Sequence, residues 1–165
     1  MSSSALSGSE FRFDKRRVDA TVTLSSGQST RGHFFTADNN TKHEGPERVG
    51  DLLNAEPGFF PFEILEGARP ATVLYNRAHV VLVSLHEREE RDNAGYAVAT
   101  PRFVSVLLTT GHRIVGTVRV YRPLGRDRLS DWTRQPETFR YLETADMTML
   151  VNAAHIVHIS EVPAP

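Results

Sequence analysis

The chain of 165 residues contains no cysteine. Disulfides and thiolate metal sites are therefore excluded, and a reducing compartment suits the chain. No apolar run approaches the roughly 20 residues needed to span a bilayer, so no membrane partner is expected. The opening Met1-Ser2-Ser3-Ser4-Ala5-Leu6-Ser7-Gly8 has neither a basic start nor an apolar core. Residues 1–10 read as a disordered tail rather than a signal peptide, with a cytoplasmic location as the default. An excess of charge of either sign is also lacking. The formal net charge of -1 gives no global pull toward nucleic acid. Neither a nucleophile elbow nor a Gly-rich phosphate loop is present, and no acid, base and nucleophile cluster. The expectation is a protein without catalytic residues or cofactor, and not an enzyme.

What the chain has instead is a repeat. Met149-Leu150-Val151-Asn152-Ala153-Ala154-His155-Ile156-Val157-His158-Ile159 reads as a strand, a tight Asn-x-x-His corner and a second strand. Val73-Leu74-Tyr75-Asn76-Arg77-Ala78-His79-Val80-Val81-Leu82-Val83 is the same phrase, written earlier. Gly27 and Gly32 match Gly111 and Gly116 at an offset of 84, Asp51 matches Asp131 at 80, and the corners match at 76. The offset changes only in loops, which tolerate length changes that strands do not. The repeat divides the chain into two units, residues 11–86 and 101–162, joined by a charged linker over 87–100. Units this small bury modest cores and depend on packing against each other or on oligomerisation.

Val18-Asp19-Ala20-Thr21-Val22-Thr23-Leu24 alternates apolar and polar with period two, which predicts a half-buried strand. Ser25-Ser26-Gly27 is a turn with glycine available for positive φ. Thr30 to Phe35 begins a second strand with Gly32 inside it, and an interior glycine marks a bend or a close backbone approach. Arg48 to Asn54 has room for two helical turns, too short to be stable unless packed on the sheet. Strands are expected over 59–65, 72–76 and 79–85, and the second copy repeats the order. The fold class is all-β with short helices, as two tandem five-stranded barrels. The charged run Glu87 to Gly95 reads as a solvated connection with room for one helical turn.

Val22-Thr23-Leu24-Ser25-Ser26-Gly27 with Gly32, and Val106-Leu107-Leu108-Thr109-Thr110-Gly111 with Gly116, resemble the first Sm motif. The two Asn-x-x-His phrases resemble the second. The chain thus resembles two divergent copies of the Sm-like fold, a small bent barrel whose nearest neighbour in topology is SH3-like. The resemblance implies a homo-oligomer built through the edges of the fourth and fifth strands, with RNA or a protein as partner. There are departures. Asp38 stands where the family's RNA-binding Asp would be, but Lys42 holds the Asn position and Arg122 replaces the Asp in the second copy. The family's Arg-Gly corner has become Asn76-Arg77 and Asn152-Ala153, so the uridine pocket is not carried over.

Other residues invite chemistry. Asn76, His79, Asn152 and His155 can form paired ligand sites, but turn geometry alone accounts for them: Asn bonds its own turn and His pins a carbonyl. His155 and His158 lie three apart on a strand and so point to opposite faces, which argues against chelation; no metal is expected. Arg48/Asp51 and Arg128/Asp131 recur at the helix starts and read as caps or ion pairs, because an Arg beside an Asp keeps it ionised and a poor base. Arg119, Tyr121, Arg122, Arg126 and Arg128 form the one basic cluster with an aromatic, the pattern that holds an anion or a phosphate backbone. The function expected is non-enzymatic assembly and binding, with weak RNA binding through Arg119 to Arg128 as the alternative.

Overall fold

The structure is a computed structural model that describes residues 15–38 and 45–165. The expected tail, the lead-in up to Asp14, Lys42 and His43 lie outside the described residues. In chain order the first half holds β1 (Lys15–Leu24), β2 (Ser29–Ala37), α1 (Val49–Ala55), β3 (Phe59–Ile64), β4 (Ala71–Asn76) and β5 (Val80–Leu85). The second holds β6 (Thr100–Leu108), β7 (Arg113–Val120), α2 (Leu129–Thr133), β8 (Phe139–Glu143), β9 (Thr148–Asn152) and β10 (Ile156–Glu161). The protein is mostly β, as expected, and the first copy's strands and helix fall within a few residues of the predicted spans.

All ten strands form one antiparallel sheet in the order β10-β6-β7-β8-β9-β5-β1-β2-β3-β4. Each half contributes the same run of five, its last strand followed by its first, second, third and fourth. The halves are stitched by β5 against β9, with Val83 opposite Leu150 and Leu82 opposite Val151. The sheet is not closed: β4 and β10 are its two ends.

The repeated glycines serve two tight places in each half. Gly27 and Gly111 adopt φ of 88° and 83°, a conformation that costs an L side chain energy and glycine little. Inside β2, a Cβ on Gly32 would overlap the carbonyl oxygen of Glu63. On Gly116 it would stand 2.5 Å from the carbonyl oxygen of Glu143 and from Leu142 Cδ2. At these two points the second strand of each half meets its third, over only one or two paired positions. Both expectations from the glycine spacing hold.

Two cores lie along the sheet, and each borrows from the other half. Around Val18, Val22, Phe34, Phe60 and Phe62 the first core also takes in Phe139 and Leu150. Phe34 stacks on Phe60 at 5.4 Å and meets Phe62 edge-on at 5.1 Å. The second core gathers Val104, Val106, Val118, Trp132 and Leu142 and takes Val81 and Leu82 from β5. A strand buried on both faces has no polar side to show. That is why Val80 to Val83 is an unbroken apolar run.

Asp51 Oδ2 accepts the backbone N–H of Arg48, and Asp131 Oδ2 that of Arg128, each at 2.9 Å. The recurring Arg/Asp pair is therefore a helix-start device. Carbonyls at and beyond the helix ends are met by arginines from different positions. Arg77 donates to the carbonyls of Leu52, Leu53 and Phe59, while Arg140 donates to those of Trp132, Gln135 and Glu137.

The linker corrects the solvated reading. Glu89 and Glu90 sit in a single 3₁₀ turn and are both buried. Glu89 accepts the N–H groups of Val49 and Gly50 at 2.8 and 2.9 Å and the Tyr141 hydroxyl at 2.6 Å. The first N–H groups of a helix have no partner within it, and α1 takes its acceptor from the linker. Helix α1, the linker and β8 are thereby fastened at one point.

Candidate functional site

The basic cluster divides in three dimensions. Arg119, on β7, turns inward: its guanidinium lies 3.9 Å from the Tyr96 ring centroid and 3.5 Å from Glu143. Tyr121 donates its hydroxyl to Glu90 Oε1 at 3.0 Å. Arg122 and Arg126 are exposed, and Arg128 caps α2. Between Arg126 and Arg128, Asp127 is buried and held by Thr100 at 2.8 Å and Arg102 at 3.7 Å. Its carboxyl is lowered by the Thr100 hydroxyl first, then by backbone N–H groups and Arg102. The five residues are therefore not one patch.

The corners behave as turns, and one of them does more. Asn76 Oδ1 accepts from Ala78 N–H and Asn152 Oδ1 from Ala154 N–H, both at 3.0 Å. Both asparagines keep negative φ, so the side-chain bond and not a left-handed backbone accounts for them. Asn152 also reaches across the junction, donating from Nδ2 to the carbonyls of Val80 at 2.9 Å and Arg77 at 3.3 Å. His155 Nε2 donates to the Ala78 carbonyl at 2.8 Å. A carbonyl only accepts, so Nε2 carries the proton, and in the neutral ring Nδ1 accepts the Thr109 hydroxyl at 2.8 Å.

The junction thus has a donor side, built from Phe139, Leu150, Asn152 and His155 of the second half. Their counterparts in the first half are Phe59, Leu74, Asn76 and His79, and these face outward beside the free edge of β4. Leu150 is 0% exposed and Leu74 is 66% exposed. His79 bonds Ser25 at 3.2 Å through Nδ1, while its Nε2 and the Asn76 Nδ2 have no partner among the described residues. On the receiving side, Val81 of β5 is buried whereas its counterpart Val157 on β10 is exposed.

Behind the junction lies an open cavity of about 580 Å³. Helix α1 contributes Gly50 and Asn54, α2 contributes Trp132, and β8 contributes Phe139, Arg140 and Tyr141. The linker adds Glu90 and Asn93, β7 adds Arg119, and the residues just after β7 add Tyr121 and Arg122. Three of the five cluster residues therefore meet here; Arg126 and Arg128 do not. Burial pushes the Glu90 carboxyl up to about 7, with Glu143 adding to the rise and the Tyr121 hydroxyl and Arg119 opposing it. The Tyr121 hydroxyl is itself raised by burial and by Glu90.

Sequence reasoning missed Glu89, Glu90, Tyr96 and Tyr141. The signal lay where the repeat breaks: Tyr141 and Tyr121 stand where the first copy has Pro61 and Ala37. Polar aromatics with no counterpart mark a surface that only one half possesses.

Comparison with family models, with curated proteins and with solved structures found no match. Function has to be argued from the chain's own geometry. Among the described residues no helix is long and apolar enough to cross a membrane, and no group of three or more His, Asp or Glu side chains is placed to hold a metal.

Proposed function

We propose that the protein is a non-enzymatic assembly protein of two tandem Sm-like units, whose copies join head to tail through β4 of one chain and β10 of the next. The observation that carries this reading is the junction inside the chain. There β9 pairs with β5 and buries Phe139 and Leu150. The same residues of the first repeat, Phe59 and Leu74, are left exposed beside an unpaired edge. An exposed edge strand is a template for another strand, and burying these two side chains contributes about 2 kcal/mol each.

The repeat offset also supplies the register. Leu82 opposite Val151 becomes His158 opposite Tyr75, and Val83 opposite Leu150 becomes Ile159 opposite Leu74. His79 and Asn76 would then give their free donors to the carbonyls of Ala154 and Ile156 in the next chain. A head-to-tail contact closes into a ring when its rotation allows, which hides every edge. Light scattering after gel filtration tests the proposal. The expected result is a discrete multiple of 18.4 kDa that persists on dilution. A single chain at high protein concentration would sink it.

A second reading, weak RNA binding, draws on the exposed Arg122 and Arg126, and Arg119 drops out because Glu143 neutralises it. It predicts binding to a uridine-rich oligonucleotide that fades with salt and is weakened by Arg122→Ala or Arg126→Ala. Absence of binding at low salt ends that reading.

A further inference from the structure

The cavity at the junction holds chemistry that assembly does not use. Its volume of about 580 Å³ falls in the usual range for small-molecule sites, roughly 300–1,000 Å³. All its walls come from one chain, so it is complete whatever the oligomeric state.

Three kinds of group line it. The first is Glu90, 1% exposed, whose Oε1 takes the Tyr121 hydroxyl while Oε2 has no hydrogen-bond partner among the described residues. A buried carboxylate oxygen without a donor is costly, and a ligand N–H relieves that cost. The second is cationic. Arg122 is exposed on the wall without a partner among the described residues, and Arg140 is held by three backbone carbonyls that fix it without cancelling its charge. Arg48 is anchored by Asn93 Oδ1 and the Asp92 carbonyl. The third is aromatic: Tyr121, Phe139 and Tyr141.

A ligand that satisfies all three is planar, carries N–H donors on one edge and bears an anion at some distance from that edge. We propose that the cavity binds a purine nucleotide, its base edge on Glu90 and its phosphate toward Arg122 and Arg140. Guanine fits best. Its N1–H and N2–H lie side by side, and the carboxylate offers Oε2 together with the remaining lone pair of Oε1. Glu143 neutralises Arg119, so three arginines stand against three carboxylates on the walls, Asp51, Glu90 and Glu137, and a cavity with no excess of positive charge suits a monophosphate better than a polyphosphate. The carboxylate is the accepting form. Burial, with Glu143 adding to it and the Tyr121 hydroxyl and Arg119 opposing it, pushes the Glu90 carboxyl up to about 7, so binding tightens as pH rises from acid to mildly alkaline.

Isothermal titration calorimetry on the full chain tests this, with GMP, guanosine, AMP, UMP and inorganic phosphate as probes in mildly acid and mildly alkaline buffer. The expected result is that GMP binds, guanosine binds more weakly, and phosphate alone does not bind. GMP affinity should fall in the acid buffer. Glu90→Gln should weaken GMP about tenfold and remove the pH dependence, as expected for losing a hydrogen bond to a charged acceptor. Arg122→Ala, an exposed change that leaves the fold alone, should weaken GMP and spare guanosine. The proposal is overturned if no nucleotide gives heat with the unmodified chain. It is equally overturned if phosphate binds as well as GMP, or if both variants bind GMP as tightly as the parent.

Discussion

Phe59 and Phe139 occupy the same position in the two repeats and opposite environments in the molecule. Phe139 is 2% exposed, sunk into the core of the first half, while Phe59 is 61% exposed beside the free edge of β4. One side chain has found its receiving strand and the other has not.

Replacing Phe59 and Leu74 with aspartate is therefore expected to yield single chains of 18.4 kDa by light scattering, with an unchanged urea midpoint for the isolated chain. Phe139→Ala should behave differently, costing about 4 kcal/mol of stability because it empties a packed site. If the two aspartates leave the oligomer intact, the head-to-tail contact is wrong.

Gly32→Ala is expected to destabilise by about 3 kcal/mol, since the added methyl collides with the Glu63 carbonyl and the Phe62 ring. Gly27→Ala meets nothing within 4 Å but must hold a φ of 88°, so its cost is about 1 kcal/mol. Chemical denaturation of the pair separates steric overlap from backbone strain.

Arg77 and Arg140 do the same work from unrelated positions, each donating to the equivalent carbonyls of Leu52 and Trp132. Arg77→Ala should leave buried helix-end acceptors bare at a cost of about 3 kcal/mol. Hydrogen exchange should show α1 opening earlier than the strands around it. Lysine in its place should recover little, because a single ammonium does not match a planar fork of donors.

Stability should fall as pH rises. Burial raises the Glu90 carboxyl to about 7 and raises Glu89 as well, so the folded chain holds protons that the unfolded chain releases at the ordinary 4.5. Where the native state binds more protons, the slope of unfolding free energy with pH is negative. For Glu90 the loss runs from about pH 4.5 to 7 and totals about 3 kcal/mol. Thermal melts across that window should show the decline, and Glu90→Gln should make it shallower, leaving the part that Glu89 contributes. A melt independent of pH would remove Glu90 as a buried titrating group.

Much of the chain was legible as sequence because the relevant forces act over a few residues. Alternation in Val18 to Leu24, the glycine at the end of Ser25-Ser26-Gly27 and the Arg48/Asp51 spacing each encode a local geometry. The repeat in turn made the second half readable from the first. The linker was misread for the opposite reason. Glu87 to Gly95 is as charged as any solvent-exposed run, and nothing nearby in sequence shows that the N–H groups of Val49 and Gly50 need Glu89. The cluster Arg119 to Arg128 failed similarly, since the partners of Arg119 and Tyr121, Glu143 and Glu90, are residues that other elements deliver.

By itself the sequence determined which segments are strands, where the chain turns and that one unit is written twice. It could not decide which copy of a repeated surface is covered. Phe59 and Phe139 share side chain and strand position, each opening the third strand of its half, so the repeat pattern does not separate them. Burial belongs to a pair of surfaces, and the covalent order of the chain brings β9 to β5 while leaving β4 and β10 at opposite ends of the sheet. The tertiary structure alone settled that asymmetry, and with it the burial of Glu90 beneath the cavity.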